Sequence, residues 1–166
     1  PTRRSSDLFK GDVLTLKGDV QAALEQYDRL IALNPCDRSL YRSRAHLHRH
    51  IGRYDEAVDD YTKALELGES IDGGMWEYYQ RATALWIAGR KDEAIDDMRR
   101  VRVLRGFPSY SDARLFVLLS GEGRRQEASE VLEAARRDVR DRWVDRVFAC
   151  LAGEISPVQL VTIAGD

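Results

Sequence analysis

The sequence predicts an all-α chain built from repeated antiparallel helix pairs. Three observations carry this. Only four prolines interrupt 166 residues, so most of the backbone is free to be helical. A turn-plus-helix-start pattern recurs four times, with its glycines separated by 34, 37 and 34 residues. Around each copy, apolar and small residues fall three and four apart, the spacing that lines one face of a helix.

The four copies are Gly18-Asp19-Val20-Gln21-Ala22-Ala23, Gly52-Arg53-Tyr54-Asp55-Glu56-Ala57, Gly89-Arg90-Lys91-Asp92-Glu93-Ala94 and Gly123-Arg124-Arg125-Gln126-Glu127-Ala128. Each glycine supplies the left-handed conformation that ends one helix. The acidic residue after it favours the positive start of the next. Helices are therefore expected at 7–17 with 20–33, 38–50 with 54–67, 75–88 with 91–105, and 110–121 with 125–138.

Within these pairs the small and bulky residues alternate in register. The first pair offers Gly11 and Leu14, then Ala23, Tyr27 and Leu30, with Pro35 ending its second helix. The second offers Tyr41, Ala45 and His48, then Ala57, Tyr61 and Ala64. The third offers Tyr78, Ala82 and Leu85, then Ala94, Met98 and Val101. The fourth offers Leu115, Phe116 and Leu119, then Ala128, Leu132 and Ala135. Alanines at the contact let paired helices approach while tyrosines fill the gaps beside them. The three extra residues between the second and third repeats lie near Ser70-Ile71-Asp72-Gly73-Gly74, a loop signal. A degenerate fifth unit follows at 139–166. Trp143, Val147 and Leu151 recur every four residues, Gly153 ends that helix, and Ser156 with Pro157 starts another.

The 34-residue helix–turn–helix period, held in one register over residues 9–138, resembles the tetratricopeptide-repeat (TPR) family. The repeats divide as 9–37, 38–71, 75–108 and 109–138. The departures are Asp7 at a usual aromatic position and Gly106 where a proline often stands. The stretch from Trp143 to Leu160 is similar to a segment of bacterial TPR proteins, in which further repeats often follow. Residues 1–8 resemble a translated short-read sequencing adapter and are expected to be a non-native leader, so no targeting argument is made from them.

The resemblance implies a right-handed superhelical solenoid whose first helices line a concave groove. It places Asp12 and Thr15 there from the first repeat, and Arg42, His46 and Arg49 from the second. The third contributes Trp76, Tyr79, Thr83 and Trp86, and the fourth Tyr110, Ala113, Arg114 and Val117. Arginine and aromatic side chains are the usual anchors of binding hot spots. Trp76 and Trp86 are equally open to a structural role between adjacent repeats. Some TPR proteins grip acidic chaperone tails with a cation-and-amide clamp. The matching positions here are Leu8, Asp12, Ser43, Trp76 and Gln80, which lack the cations, so that partner class is not expected.

Net charge is −2 with 33% charged residues, which gives no bulk attraction to nucleic acid or membrane. Apolar runs such as Leu115–Leu119 fall far short of the roughly 20 residues of a membrane helix. Cys36 and Cys150 define no disulfide framework. His46 and His50 lie one turn apart, but no third ligand is apparent and no metal is expected. The basic run Arg99–Arg105 reads as a solvated helix with a buried edge at Val101 and Leu104. Arg136–Arg146 alternates arginine with Asp138, Asp141 and Asp145 and reads as a self-neutralised helix face. No catalytic constellation and no cofactor motif appear. The expected function is a protein-interaction module or adaptor holding an extended peptide or protein, with acidic and apolar side chains suited to the groove. The alternatives are a regulatory or substrate-recruiting arm of a larger enzyme, or a self-assembling scaffold.

Overall fold

The computed structural model describes residues 14, 18–68, 73–105, 110–137 and 142–158. Eight helices occur among them: α1 Val20–Leu33, α2 Arg38–His50, α3 Tyr54–Glu66, α4 Met75–Ile87, α5 Lys91–Arg105, α6 Tyr110–Gly121, α7 Arg125–Arg137 and α8 Arg142–Leu151. No strand occurs among the described residues. Seven of the expected helices are present, with ends within one residue of those read from the sequence. The expected helix at 7–17 lies outside the described residues except for Leu14, and so do Asp12 and Thr15. The leader 1–8, Gly106 and the segment beyond Val158 also lie outside.

The repeated glycine does what its position requires. Gly52 and Gly89 have φ of +80° and +83°. Each sits in a helix-ending turn closed by two backbone bonds. Arg53 N–H donates to His48 O at 2.9 Å and Gly52 N–H to Arg49 O at 3.3 Å, while Arg90 and Gly89 repeat the pattern onto Leu85 and Trp86. The turn before α2 is held differently. Asp37 accepts from the Ser39 backbone N–H at 3.1 Å, and the Tyr41 hydroxyl donates to Pro35 O at 3.2 Å.

The chain divides into two compact units, Pro1–Ala94 and Ile95–Asp166. In the first, α2 packs against α3, α3 against α4, and α1 against α2. Its core joins Ala45, Ala57, Val58, Tyr61, Ala84, Leu85 and Ala94, with a second cluster of Ala23, Leu24, Tyr27 and Leu47. Ala45, Ala57 and Ala64 are fully buried, so the small residues stand where helix backbones come closest. In the second unit α6 packs on α7, and α8 touches both. Phe148 is fully buried there among Ala113, Leu132, Ala135 and Val144, with Val147 and Leu151 packed against them.

Three readings of the sequence change. Ala113 is buried on Leu132 and Ala135 rather than lining a groove, because a short side chain at that turn lets α6 close onto α7. Arg136–Arg146 is not one helix face, since α7 ends at Arg137 and α8 begins at Arg142. Arg136 pairs instead with Glu154, beyond the end of α8. In the basic run, Val101 is buried but Leu104 only half so, and Arg102 Nε reaches Oδ1 of the buried Asp112 at 2.9 Å.

Candidate functional site: the face shared by α2 and α4

One side of α2 is committed to the interior through Tyr41, Ala45 and His48. Helical geometry then turns Arg42, His46, Arg49 and His50 to another side. Helix α4 behaves likewise. Ala82 and Leu85 are buried, while Trp76, Tyr79, Thr83 and Trp86 are half-buried along an adjoining face. The two helices touch, so the second and third repeats present these side chains together.

Trp76 is the centre of the arrangement. The Arg42 guanidinium carbon lies 5.6 Å from its ring centroid, and the His46 ring stacks at 6.2 Å. Its inner edge meets Tyr61 at 5.9 Å in a T-shaped contact. Trp76 thus has one side in the core and another under two polar groups, a cation–π arrangement worth about 1 kcal/mol at a partly exposed site. The His46 and His50 rings lie 4.4 Å apart. Beside Trp76, Glu77 is 1% exposed. Its Oε1 accepts from Arg38 Nη2 at 2.5 Å, with Arg42 Nη1 at 3.9 Å, and its Oε2 is buried without a hydrogen bond. The carboxylate therefore holds Arg38 of the neighbouring helix by a charge-assisted bond and lies near the Arg42 guanidinium.

Further along α4 the predicted residues serve partly local roles. The Thr83 hydroxyl donates to Tyr79 O at 3.0 Å. The Trp86 ring carries Lys91 Nζ at 5.5 Å and packs against the core. Both tryptophans are accordingly half structural and half surface.

A partly buried polar network also engages α2. Arg44 donates bidentately to Asp60, Nε to Oδ2 at 2.8 Å and Nη2 to Oδ1 at 2.6 Å, and Nη1 reaches Asp28 at 2.5 Å. This joins α1, α2 and α3 and holds the Arg44 guanidinium firmly charged, chiefly through its bond to Asp60. His48 Nε2 stands 3.8 Å from Asp60 Oδ2. Burial lowers its pKa below the usual histidine value and outweighs the opposing pull of Asp60. Burial also pushes the Tyr61 phenol up to about 12, against the nearby Arg49 guanidinium. Arg49 Nε is itself buried, so this arginine is only partly available at the surface.

The structure brings Arg42, His46 and Trp76 into one cluster, with Arg49 at its margin. Tyr79, Thr83 and Trp86 share the same helix face but lie further along it. In the second unit, Tyr110 is 52% and Val117 51% exposed on α6, with Arg114 half-buried between them. Sequence reading missed Arg38, Glu77 and His50 as members of the cluster. The signal was present: Arg38 and Arg42 are one turn apart, and Glu77 follows about one repeat period later with opposite charge. Among the described residues, no group of three or more His, Cys, Asp or Glu side chains is placed to hold a metal ion. No helix there is long and apolar enough to cross a membrane.

A family model described as tetratricopeptide repeat matches residues 10–70. Over 88 residues the chain is 34% identical to the SGT1 homolog of Bos taurus, covering 49% of this chain and 26% of that protein. The chain thus spans about a quarter of that relative's length. Among solved structures, MamA superposes with a TM-score of 0.72 at 19% identity, covering 90% of this chain and 85% of that one. YrrB, described as a TPR protein with an unusual peptide-binding site, gives 0.68 at 18% identity, covering 90% and 78%. Taken with the glycine-ended turns and the recurring alanine register, these likenesses show that the chain has the helical-repeat fold of tetratricopeptide-repeat proteins, with residues 10–70 matching that family's model.

Proposed function

We propose that this chain is a protein-interaction module that holds an extended peptide or a protein segment against the α2–α4 face. The observation that carries the reading is the cluster of Arg42, His46 and Trp76, a cation and two rings gathered beside the buried Glu77. A half-buried indole offers apolar area, and Arg42, 47% exposed in its side chain, offers charge to an acidic group. The fitting partner is a segment that alternates acidic and apolar side chains. Tyr79, Thr83 and Trp86 would extend its track along α4. Tyr110 and Arg114 would serve the same partner class from α6. The likeness to YrrB supports peptide binding as a use of this fold.

Selection of phage-displayed peptides against the full chain tests the reading. Acidic–apolar sequences should be enriched. Tyr79→Ala should weaken the selected peptides by about 2 kcal/mol, roughly thirtyfold. Arg42→Glu should weaken them as well, mainly through slower association that is steeper in salt. Arg29→Glu, on the exposed side of α1, should leave them unchanged. Arg99→Glu is a poorer control than its helix position implies, because Arg99 Nη2 bridges to Glu127 at 2.5 Å. Binding that survived the α2 and α4 changes but failed on Arg29→Glu would move the site to the second helices and end this proposal.

A further inference from the structure

Glu77 is the odd member of its repeat position. The glycine spacings of 37 and 34 residues match it with Leu40 in the second repeat and Ser111 in the fourth. All three are buried, with exposures of 4% for Leu40, 1% for Glu77 and 5% for Ser111. An uncharged side chain therefore satisfies this contact in both neighbouring repeats. A buried carboxylate is costly even when paired, because desolvation offsets the attraction. Packing alone gives no reason for an acid here.

Its place beside the candidate face supplies one. Arg38 Nη2 donates to Oε1 at 2.5 Å, and Oε2 has no hydrogen bond among the described residues. Arg42 Nη1 lies 3.9 Å from Oε1, too far for a hydrogen bond, and its guanidinium rests over the Trp76 ring. Glu77 thus acts on Arg42 through its charge, while the ring sets where Arg42 sits. A ligand carboxylate bonded to that Arg42 nitrogen at about 2.8 Å would stand within roughly 7 Å of Glu77. Near a protein surface, repulsion at that distance changes affinity on the order of tenfold.

We infer that Glu77 is the charge-selectivity residue of the α2–α4 face: it offsets the attraction of Arg42 for carboxylates, so that acidic segments are favoured only weakly over neutral ones of the same apolar pattern. This rests on the peptide-binding reading above and deepens it by narrowing the ligand class. The segment that fits carries its binding surface in apolar side chains, with few acidic ones.

Two fluorescein-labelled peptides of equal length test this, one alternating glutamate with leucine and one alternating glutamine with leucine. The full chain should favour the glutamate peptide only slightly. Glu77→Gln keeps the size of the side chain and an oxygen for Arg38. It should tighten the glutamate peptide about tenfold, with a gain that shrinks in high salt, and leave the glutamine peptide unchanged. Glu77→Leu, which installs the residue of the second repeat, should give the same gain. In an Arg42→Gln background the gain should largely disappear. Helicity of every variant guards against unfolding. Unchanged or weaker binding of the glutamate peptide in both folded Glu77 variants would overturn the charge selectivity and leave the peptide-binding reading intact. Binding of neither peptide by the chain or its variants would overturn both. A gain that survives Arg42→Gln in full would assign the effect to another cation and also end the inference.

Discussion

Helices α4 and α6 occupy the same place in consecutive repeats, yet they are finished differently. Each buries an acidic residue near its start, Glu77 in α4 and Asp112 in α6, both 1% exposed. Each acid is met by an arginine, but from a different source. Glu77 is held by Arg38 from the preceding first helix, and Asp112 by Arg102 from the preceding second helix. The surface consequences differ too. In α4 the first aromatic, Trp76, lies under Arg42 and His46, whereas in α6 Tyr110 and Val117 stand about half exposed. The repeat register therefore fixes which positions are interior. It does not fix which neighbour supplies the counter-charge or what covers the outward aromatic.

The interior half of this comparison is the one whose failure would matter most. Ala57 and Ala128 are matching alanines, 0% and 1% exposed. Ala57→Trp should destabilise the chain by about 3 kcal/mol or abolish folding, because overpacking a close helix contact forces backbone shifts. Ala128→Trp should do the same to the second unit. Thermal unfolding followed by helicity reads both. An unchanged midpoint for either would break the shared register.

The charged pairs offer a smaller and more discriminating effect. Glu77→Gln and Asp112→Asn should each lower stability by about 2 kcal/mol, since each removes a charge-assisted bond from a buried acid. Glu154→Gln should leave the urea midpoint unchanged. Its bond to Arg136 lowers the Glu154 carboxyl pKa, but the pair is solvent-screened. Equal losses at Glu77 and Asp112 would show that the source of the arginine is immaterial. Unequal ones would rank the two arrangements.

The smallest expected effect is a pH dependence confined to one unit. The folded-state pKa of His48 lies below its unfolded value near 6.5, so the unfolded chain binds more protons between those two values. This contribution to stability is fully present above pH 6.5 and is lost as pH falls towards the folded-state pKa. The second unit contains no histidine and should lack this loss. Urea unfolding between pH 8 and 5.5 would show the decline, and His48→Gln should flatten it. A decline of the same size in His48→Gln would assign it to another group.

Much of the molecule was legible because its information is local. Glycines that must adopt positive φ, alanines three and four apart, and a period near 34 residues set helix ends and buried faces without reference to distant contacts. That is why seven helices stand where the spacing placed them. Ala113 shows the limit. Its place in the family pattern pointed to the groove, but whether a short side chain faces a ligand or a neighbouring helix depends on how closely α6 and α7 approach. Arg136 shows the same limit for charge, since its partner Glu154 lies past the end of the next helix.

By itself the amino-acid sequence determined the all-helical class, the helix ends and the small-residue contacts, because each follows from backbone preference and helical periodicity. Tertiary structure decided that Glu77 binds Arg38 with Arg42 close by, that Trp76 is shared between core and surface, and that His46 and His50 meet beside it. Those outcomes depend on the distance and rotation between α2 and α4. Side chains one repeat apart are neighbours only after the helices have packed.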